Sequence, residues 1–382
     1  MEKEYETIII GGGISGLSCG KKLQEENKDF LLITKELGGR LMSSKNFGVD
    51  YGAAYITKDY WNVLKYVEKR EKLKINDFYF FDGFNLSNAS NIKHIKHTFK
   101  IIKFLLILKK FRKNILKYRK QAPYKSVKEC FEENNVLSKY WNMSAKDFIK
   151  KNGFEKLDEI FGNPVTATTA FIESDKVNAA YYIGMFFPII LKSWIVDFKH
   201  TEKKLIKGFE DKIKLGSVIK VIKQDGGKFK VHTSFGDFIA KNIVFAAPQM
   251  SLEGVYDIPK PHIQQPAYIF HVVGRRKDIY QKKKAVCFRP ENHDIYMIWK
   301  QKSGADLIYS KHPDPNFKEY YELYHIIKKV HWHPGMIIPS SNLIDQKLEK
   351  NVYLASDYNL SLMEDSFLTG LYAANQIIKN GK

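Results

Sequence analysis

The sequence predicts an α/β protein whose parallel sheet carries a glycine-rich turn, with a second α+β part inserted into it. Three observations predict this. A β-branched run near the start ends in glycines and passes into a helical pattern. A set of alternating strands after residue 218 closes in a buried strand stopped by proline. The end of the chain reads as a strand, a loop and an apolar helix.

The first run, Thr7-Ile8-Ile9-Ile10, is short and uniformly apolar after Thr7, as expected of a parallel strand covered on both faces. Gly11-Gly12-Gly13-Ile14-Ser15-Gly16 follows, then Leu17 to Leu23 with helical spacing, and a second strand at Phe30-Leu31-Leu32-Ile33. Together they make a βαβ opening of about 30 residues, the size such a unit requires. In this setting Gly11-x-Gly13-x-x-Gly16 has a mechanical reading. Gly11 permits the tight turn, Gly13 lets backbone approach a pyrophosphate, and Gly16 lets helix and strand pack closely. The helix start, with Ile14 and Ser15, offers unpaired N–H groups and the positive end of the helix dipole. These residues predict a dinucleotide site.

The 382 residues suggest two domains at about 150 residues each. A hydrophobic content of 44% supplies a packed core and excludes wholesale disorder. Three separated cysteines, Cys19, Cys130 and Cys287, exclude a disulfide scaffold and a CxxC metal site, and favour a reducing, cytoplasmic setting. The acidic start runs directly into the first strand, so a targeting peptide is not expected. The formal charge is +20, but it is carried by lysine far more than by arginine, the better reader of base edges. From Gly83 to Lys128 the chain has 13 Lys or Arg and no acid. Its centre, Phe99 to Tyr118, reads as a basic, apolar helix. Residues 92–120 have three readings: a helix with a solvated lysine face, a contact with anionic membrane, or nucleic-acid binding. Val177 to Leu191 is uncharged, too short to span a bilayer and broken by Pro188, and reads as a buried or interfacial helix.

Further on, Val218–Ile222, Lys228–Thr233 and Asp237–Ala240 alternate as a β-meander, followed by Asn242–Pro248 as a buried strand. Four more motifs accompany these elements: Gly38-Gly39-Arg40, Asp50-Tyr51-Gly52-Ala53-Ala54-Tyr55-Ile56, Phe245-Ala246-Ala247-Pro248, and Leu354-Ala355-Ser356-Asp357 followed by Glu364 to Ala374. In this order they resemble the FAD-dependent amine oxidase and phytoene desaturase superfamily, which includes the renalase-like oxidases. The likeness covers residues 5–57, 214–248 and 330–378. It implies a Rossmann-like FAD-binding domain of the GR2 type from residues 1–80, 201–250 and 331–382. An α+β substrate domain would come from 81–200 and 251–330.

Carried over by motif, the resemblance implies that Gly11, Gly13 and Gly16 hold the FAD pyrophosphate, with Arg40 beside Gly39 as its charge partner. Val218 would contact adenine, Asp357 the ribityl chain, and the Met363–Glu364 turn would face the flavin. Gly52, Ala53 and Ala54 would lie against the isoalloxazine. The family's ribose-binding glutamate is displaced: Thr34 occupies its place without gaps, and Glu36 follows two residues on. Ser356 and Asp365 stand where the family has glycine.

The strand Ala267–Val273 lacks the lysine usual in amine oxidases, with His271 as the nearest polar residue, catalytic or structural. In His331-Trp332-His333-Pro334-Gly335, Trp332 is a substrate-pocket candidate, and the paired histidines lack a third ligand for a metal. Tyr181, Tyr182, Phe186 and Phe187 would either line a pocket or fill the core. The implied function is an FAD-dependent oxidoreductase taking a hydride from a C–H bond, with an apolar small-molecule substrate favoured. The alternatives are a renalase-like oxidase of dihydronicotinamides, an amine oxidase, or a scaffold that keeps the fold without catalysis.

Overall fold

Lys3–Gly12 is the central strand of the first sheet, and its run Ile8–Ile10 is apolar on both faces. Ile9 packs with Leu17 and Leu23 of the helix Ile14–Glu25, while Ile8 and Ile10 pack on the opposite face with Val221, Phe229 and Val231. The computed structural model describes residues 3–44, 48–52, 55–81, 83–88, 97–260, 263–339 and 342–381. Gly236–Phe245 and Phe30–Leu37 flank the central strand in parallel, as the βαβ opening predicts. Val352–Leu354 extends the sheet beyond the first and Ile213–Leu215 beyond the second, also in parallel. Phe229–Thr233 and Val218–Lys223 form the expected meander against Gly236–Phe245.

One expectation changes here. The two strands read separately at 237–240 and 242–248 form a single strand, Gly236–Phe245. Asn242 does not break it, because its side-chain amide donates to the Glu6 carbonyl of the neighbouring strand at 3.0 Å.

The second sheet has the order Tyr321–Ile338, Ile263–Arg276, Asp306–Ser310, Ile295–Lys300, Ala285–Phe288, Phe78–Phe81, Leu86–Asn88. Its pairs are antiparallel except between Ala285–Phe288 and Phe78–Phe81. One face carries Ala267, Ile269, Cys287, Met297 and Leu307 against the helices of residues 98–190; the other carries Val272, Val286, Ile298 and Ile308. A small third sheet joins Tyr55–Thr57 and Glu68–Leu73 through Ser193–Asp197.

The basic segment forms the helix Thr98–Gln121, close to the expected bounds, with Phe104, Leu108, Phe111 and Ile115 turned inward. Residues 92–96 of the expected 92–120 lie outside the described residues. The segment around Pro188 is two short helices, Ala179–Gly184 and Phe187–Ile190, with Pro188 in the first turn of the second, where its missing N–H costs nothing. No helix among the described residues is long and apolar enough to cross a membrane.

Buried charges tie the basic helix to the C-terminal helix Met363–Asn380. Arg119 makes a two-point contact with Asp365, Nε to Oδ1 at 3.1 Å and Nη2 to Oδ2 at 2.6 Å, and also donates to the Asp59 carbonyl at 3.2 Å. Two turns earlier, Arg112 grips the Asp59 carboxylate at 2.6 and 2.7 Å. Asp365, which departs from the resembled pattern, is thus half of an ion pair whose side chains are 1% and 2% exposed. Removing one member of such a pair strands the other without a partner. Arg119→Met should cost about 3–5 kcal/mol, read from urea unfolding, and the double variant Arg119→Met/Asp365→Leu should recover most of that loss.

Candidate functional site

A cavity of about 540 Å³ opens beyond the carboxyl ends of the central strands, where Ile10–Gly13, Ile33–Glu36 and Ala246–Pro248 form its wall. This is where an open α/β sheet presents its crevice. The glycines make that crevice by close approach. Gly11 has φ of 119°, and a Cβ there would run into the Ala246 carbonyl; one on Gly16 would overlap the Gly11 oxygen. A Cβ on Gly13 would meet nothing within 4 Å, so this residue faces open room. The helix Ile14–Glu25 starts at this point without a side-chain cap. Gly11, Gly13, Ile14 and Ser15 line the cavity. Gly16 does not; it serves the helix–strand contact behind the wall.

The displaced acid has a structural cause. Ile10 pairs with Ile33 but Gly12 pairs with Leu37, so the second strand carries two extra residues opposite Gly11. Thr34 is consumed by this irregularity: its hydroxyl accepts from the Gly12 N–H at 2.9 Å and donates to the Glu36 carbonyl at 2.6 Å. Both residues line the cavity, but Thr34 is buried and its hydroxyl engaged, whereas Glu36 is exposed.

Arg40 and Asp357, far apart in sequence, meet on the cavity wall, with Nη2 2.6 Å from Oδ2. Arg40 also donates to the Gly335 carbonyl at 3.1 Å. Gly39, Gly52, Val218 and Met363 line the same cavity. A Cβ on Gly52 would overlap the Arg40 carbonyl, so the turn at residues 50–52 lies directly on the GGR segment. Ala53 and Ala54 lie outside the described residues. Ser356 brings to the wall a hydroxyl with no hydrogen-bond partner among the described residues.

Glu364 departs from expectation and does not line the cavity. Its buried carboxylate accepts from the Asn62 N–H at 3.0 Å, the Asn62 side-chain amide at 2.8 Å and the Val63 N–H at 3.1 Å. It is a clamp on the 60–65 turn, and burial pushes its carboxyl above the usual range. His271 takes the structural of its two readings among the described contacts. It is fully buried and off the cavity wall, with Nδ1 3.0 Å from the Tyr51 hydroxyl, and burial lowers its pKa. Trp332 does line the cavity, and its indole N–H donates to the Tyr51 carbonyl at 3.1 Å. Tyr181, Tyr182 and Phe187 belong to the core cluster and Phe186, half-buried, packs against it; their neighbours Met185, Pro188 and Ile189 reach the wall instead.

The other half of the wall comes from residues that carry no motif. Val165, Thr168 and Phe171 arrive from the helix Asn163–Ala170 and its end, and Cys287, Met297 and Trp299 from the second sheet. Their only sequence signal is hydrophobic periodicity along a helix or a strand, which marks a face as buried without telling core from cavity. The wall's formal charges are Lys35 and Glu36 at the end of the second strand, Arg40 of the GGR motif and Asp357 of the C-terminal motif, all on the half built from the first sheet's nucleotide-type elements. No group of three or more His, Cys, Asp or Glu among the described residues could hold a metal ion.

Residues 9–69 match the model of the NAD(P)-binding Rossmann-like domain. Among curated proteins, flavin-containing amine oxidase A of Canis lupus familiaris is 42% identical over 57 residues and that of Bos taurus 40% over 57 residues. Each match covers 14% of this chain and 11% of the relative, so the chain aligns with about one ninth of their length. Solved structures match throughout. A putrescine oxidase variant has a TM-score of 0.70 at 10% identity over 99% of both chains. The CLA-producing fatty acid isomerase from P. acnes has 0.71 at 16% identity over 98% of both. Cyclohexylamine oxidase from Brevibacterium oxydans has 0.65 at 13% identity, over 98% of this chain and 99% of that one. Together with the motifs on the cavity wall, these matches give the chain the fold of the FAD-dependent amine oxidase superfamily.

Proposed function

We propose that the chain is an FAD-dependent oxidoreductase acting on an apolar small molecule. The observation that carries the reading is the division of the cavity wall. Every formally charged side chain on it lies on the half built from the second strand, the GGR segment and the C-terminal motif, while the half built from residues 165–189 and 267–309 is apolar, aromatic or neutral. Such a chamber favours an uncharged hydrocarbon body and penalises a cation brought into it without a partner.

The first half fits FAD. The backbone of Gly11–Gly13 and the uncapped start of the helix Ile14–Glu25 would take the pyrophosphate, for which open space in front of Gly13 is the support. Glu36, exposed on the wall, would accept from the adenosine ribose in place of Thr34. Val218 would meet adenine, and the Arg40–Asp357 pair would meet the linking chain, with the free hydroxyl of Ser356 beside it. Bound FAD would supply the redox chemistry, accepting a hydride from a substrate C–H bond. The chain's own work is to orient the substrate against Trp332 and the apolar wall and to keep water out. In this reading residues 1–80, 201–250 and 331–382 serve the cofactor, and 81–200 and 251–330 the substrate. The fatty acid isomerase among the structural neighbours supports an apolar substrate; the amine oxidases carry the amine alternative.

A charged hydrogen bond from Glu36 is worth about 1.5–3 kcal/mol. Glu36→Ala should therefore raise the FAD dissociation constant roughly tenfold to a hundredfold, measured by fluorescence titration of the apoprotein. The substrate reading is tested by anaerobic mixing of the FAD-loaded protein with an unsaturated fatty acid or isoprenoid, a primary amine and a dihydronicotinamide. Bleaching of the visible flavin band should be roughly tenfold or more faster with the apolar compound. Faster bleaching by the amine or the dihydronicotinamide overturns it.

A further inference from the structure

We propose that the outward face of the helix Thr98–Gln121 docks on an anionic lipid bilayer. The helix splits that face into two parts along its length. Its first turns expose Phe99, Ile102, Leu105 and Leu106 at 82, 51, 39 and 62%. Its remaining turns expose Lys109, Lys110, Lys113, Lys117 and Lys120. At 100° per residue these nine positions share one side of the helix, opposite the buried Phe104, Leu108, Phe111 and Ile115.

The charge on this face is unopposed. The helix contains no acid, and none of the five lysines has an ion-pair partner among the described residues. The two arginines of the helix are used inward, on Asp59 and Asp365. An apolar patch of four large side chains followed by a run of lysines matches the layered chemistry of an anionic interface. The side chains of Phe99, Ile102 and Leu106 would enter the acyl boundary while the lysines stay at the headgroups. Each lysine near such a surface strengthens binding about fivefold, an effect confined to roughly a Debye length. A polyanion such as nucleic acid would use the lysines but has no use for the apolar end.

The inner side of the helix reaches toward the cavity. Phe104 contacts Phe186 at 4.7 Å between ring centroids, and Phe111 stacks on Phe187 at 6.1 Å. Phe186 and Phe187 lie within the segment whose Met185, Pro188 and Ile189 line the apolar wall. One helical layer therefore separates the docking face from the chamber. That this serves delivery of an apolar substrate rests on the function proposed above; the docking itself does not.

The test is flotation of the full chain with vesicles of phosphatidylcholine alone or mixed with phosphatidylglycerol. Binding is expected only to the mixed vesicles, weakening with salt. Phe99→Ser/Leu106→Ser and Lys109→Glu/Lys113→Glu should each lower it at least about tenfold. All four residues are exposed, so thermal melting should match the parent and confirm that each variant is folded. Absence of binding to the mixed vesicles at low salt overturns the proposal. So does binding that needs the lysines but not Phe99 and Leu106, accompanied by salt-sensitive retention on DNA, which would mark a polyanion surface. Vesicle binding without flavin bleaching by apolar compounds would uphold the docking face and reject the substrate reading alone.

Discussion

Close backbone approach at Gly11 and Gly16 is the constraint on which the rest of the site depends. Without a Cβ at either position, the helix Ile14–Glu25 lies against the end of Lys3–Gly12, and that strand lies against Ala246 of its neighbour. The crevice in front of Gly13 exists because these three backbones converge behind it. The same device recurs on the far side of the helix. Gly370 of the C-terminal helix presses on Ser15 and Cys19, and Ser18 donates to the Phe367 carbonyl at 2.9 Å. Stacked in this way, the last helix of the chain delivers Met363 and Ser366 to the cavity opened by the first.

A second constraint is electrostatic. Arg112, Arg119, Asp59, Glu364 and Asp365 form a chain of buried or half-buried contacts between the basic helix, the turn at residues 59–63 and the C-terminal helix. Each carboxylate has a donor, which is the condition for charges to be held away from water. The network also gives an account of Asp365. A glycine there would leave Arg119 buried without its partner, so the departure from the resembled pattern and the arginine on a distant helix belong together.

Much of this was legible in the sequence because it depends on local rules. The glycine turn, the strand Phe30–Ile33, the meander and the basic helix follow from periodicity and turn chemistry, and all are found. The motifs that line the cavity, from Gly11 to Met363, are likewise readable in order. What was not legible depends on tertiary placement. Glu364 and His271 are polar residues beside motif positions, and only the structure shows Asn62 and Tyr51 taking their polar atoms. The bulge that shifts Glu36 is invisible without the pairing of Gly12 to Leu37. The apolar wall from Val165 to Trp299 carries no motif, because a side chain facing a cavity and one facing the core obey the same hydrophobic pattern.

The central claim is that the cavity holds FAD. The most direct measurement is the visible absorption spectrum of the purified protein, recorded before and after denaturation releases any bound chromophore. The account predicts a flavin spectrum and FAD in the released fraction. A colourless protein that also fails to take up added FAD would contradict it, and would make the chain a scaffold that has kept the fold without the chemistry.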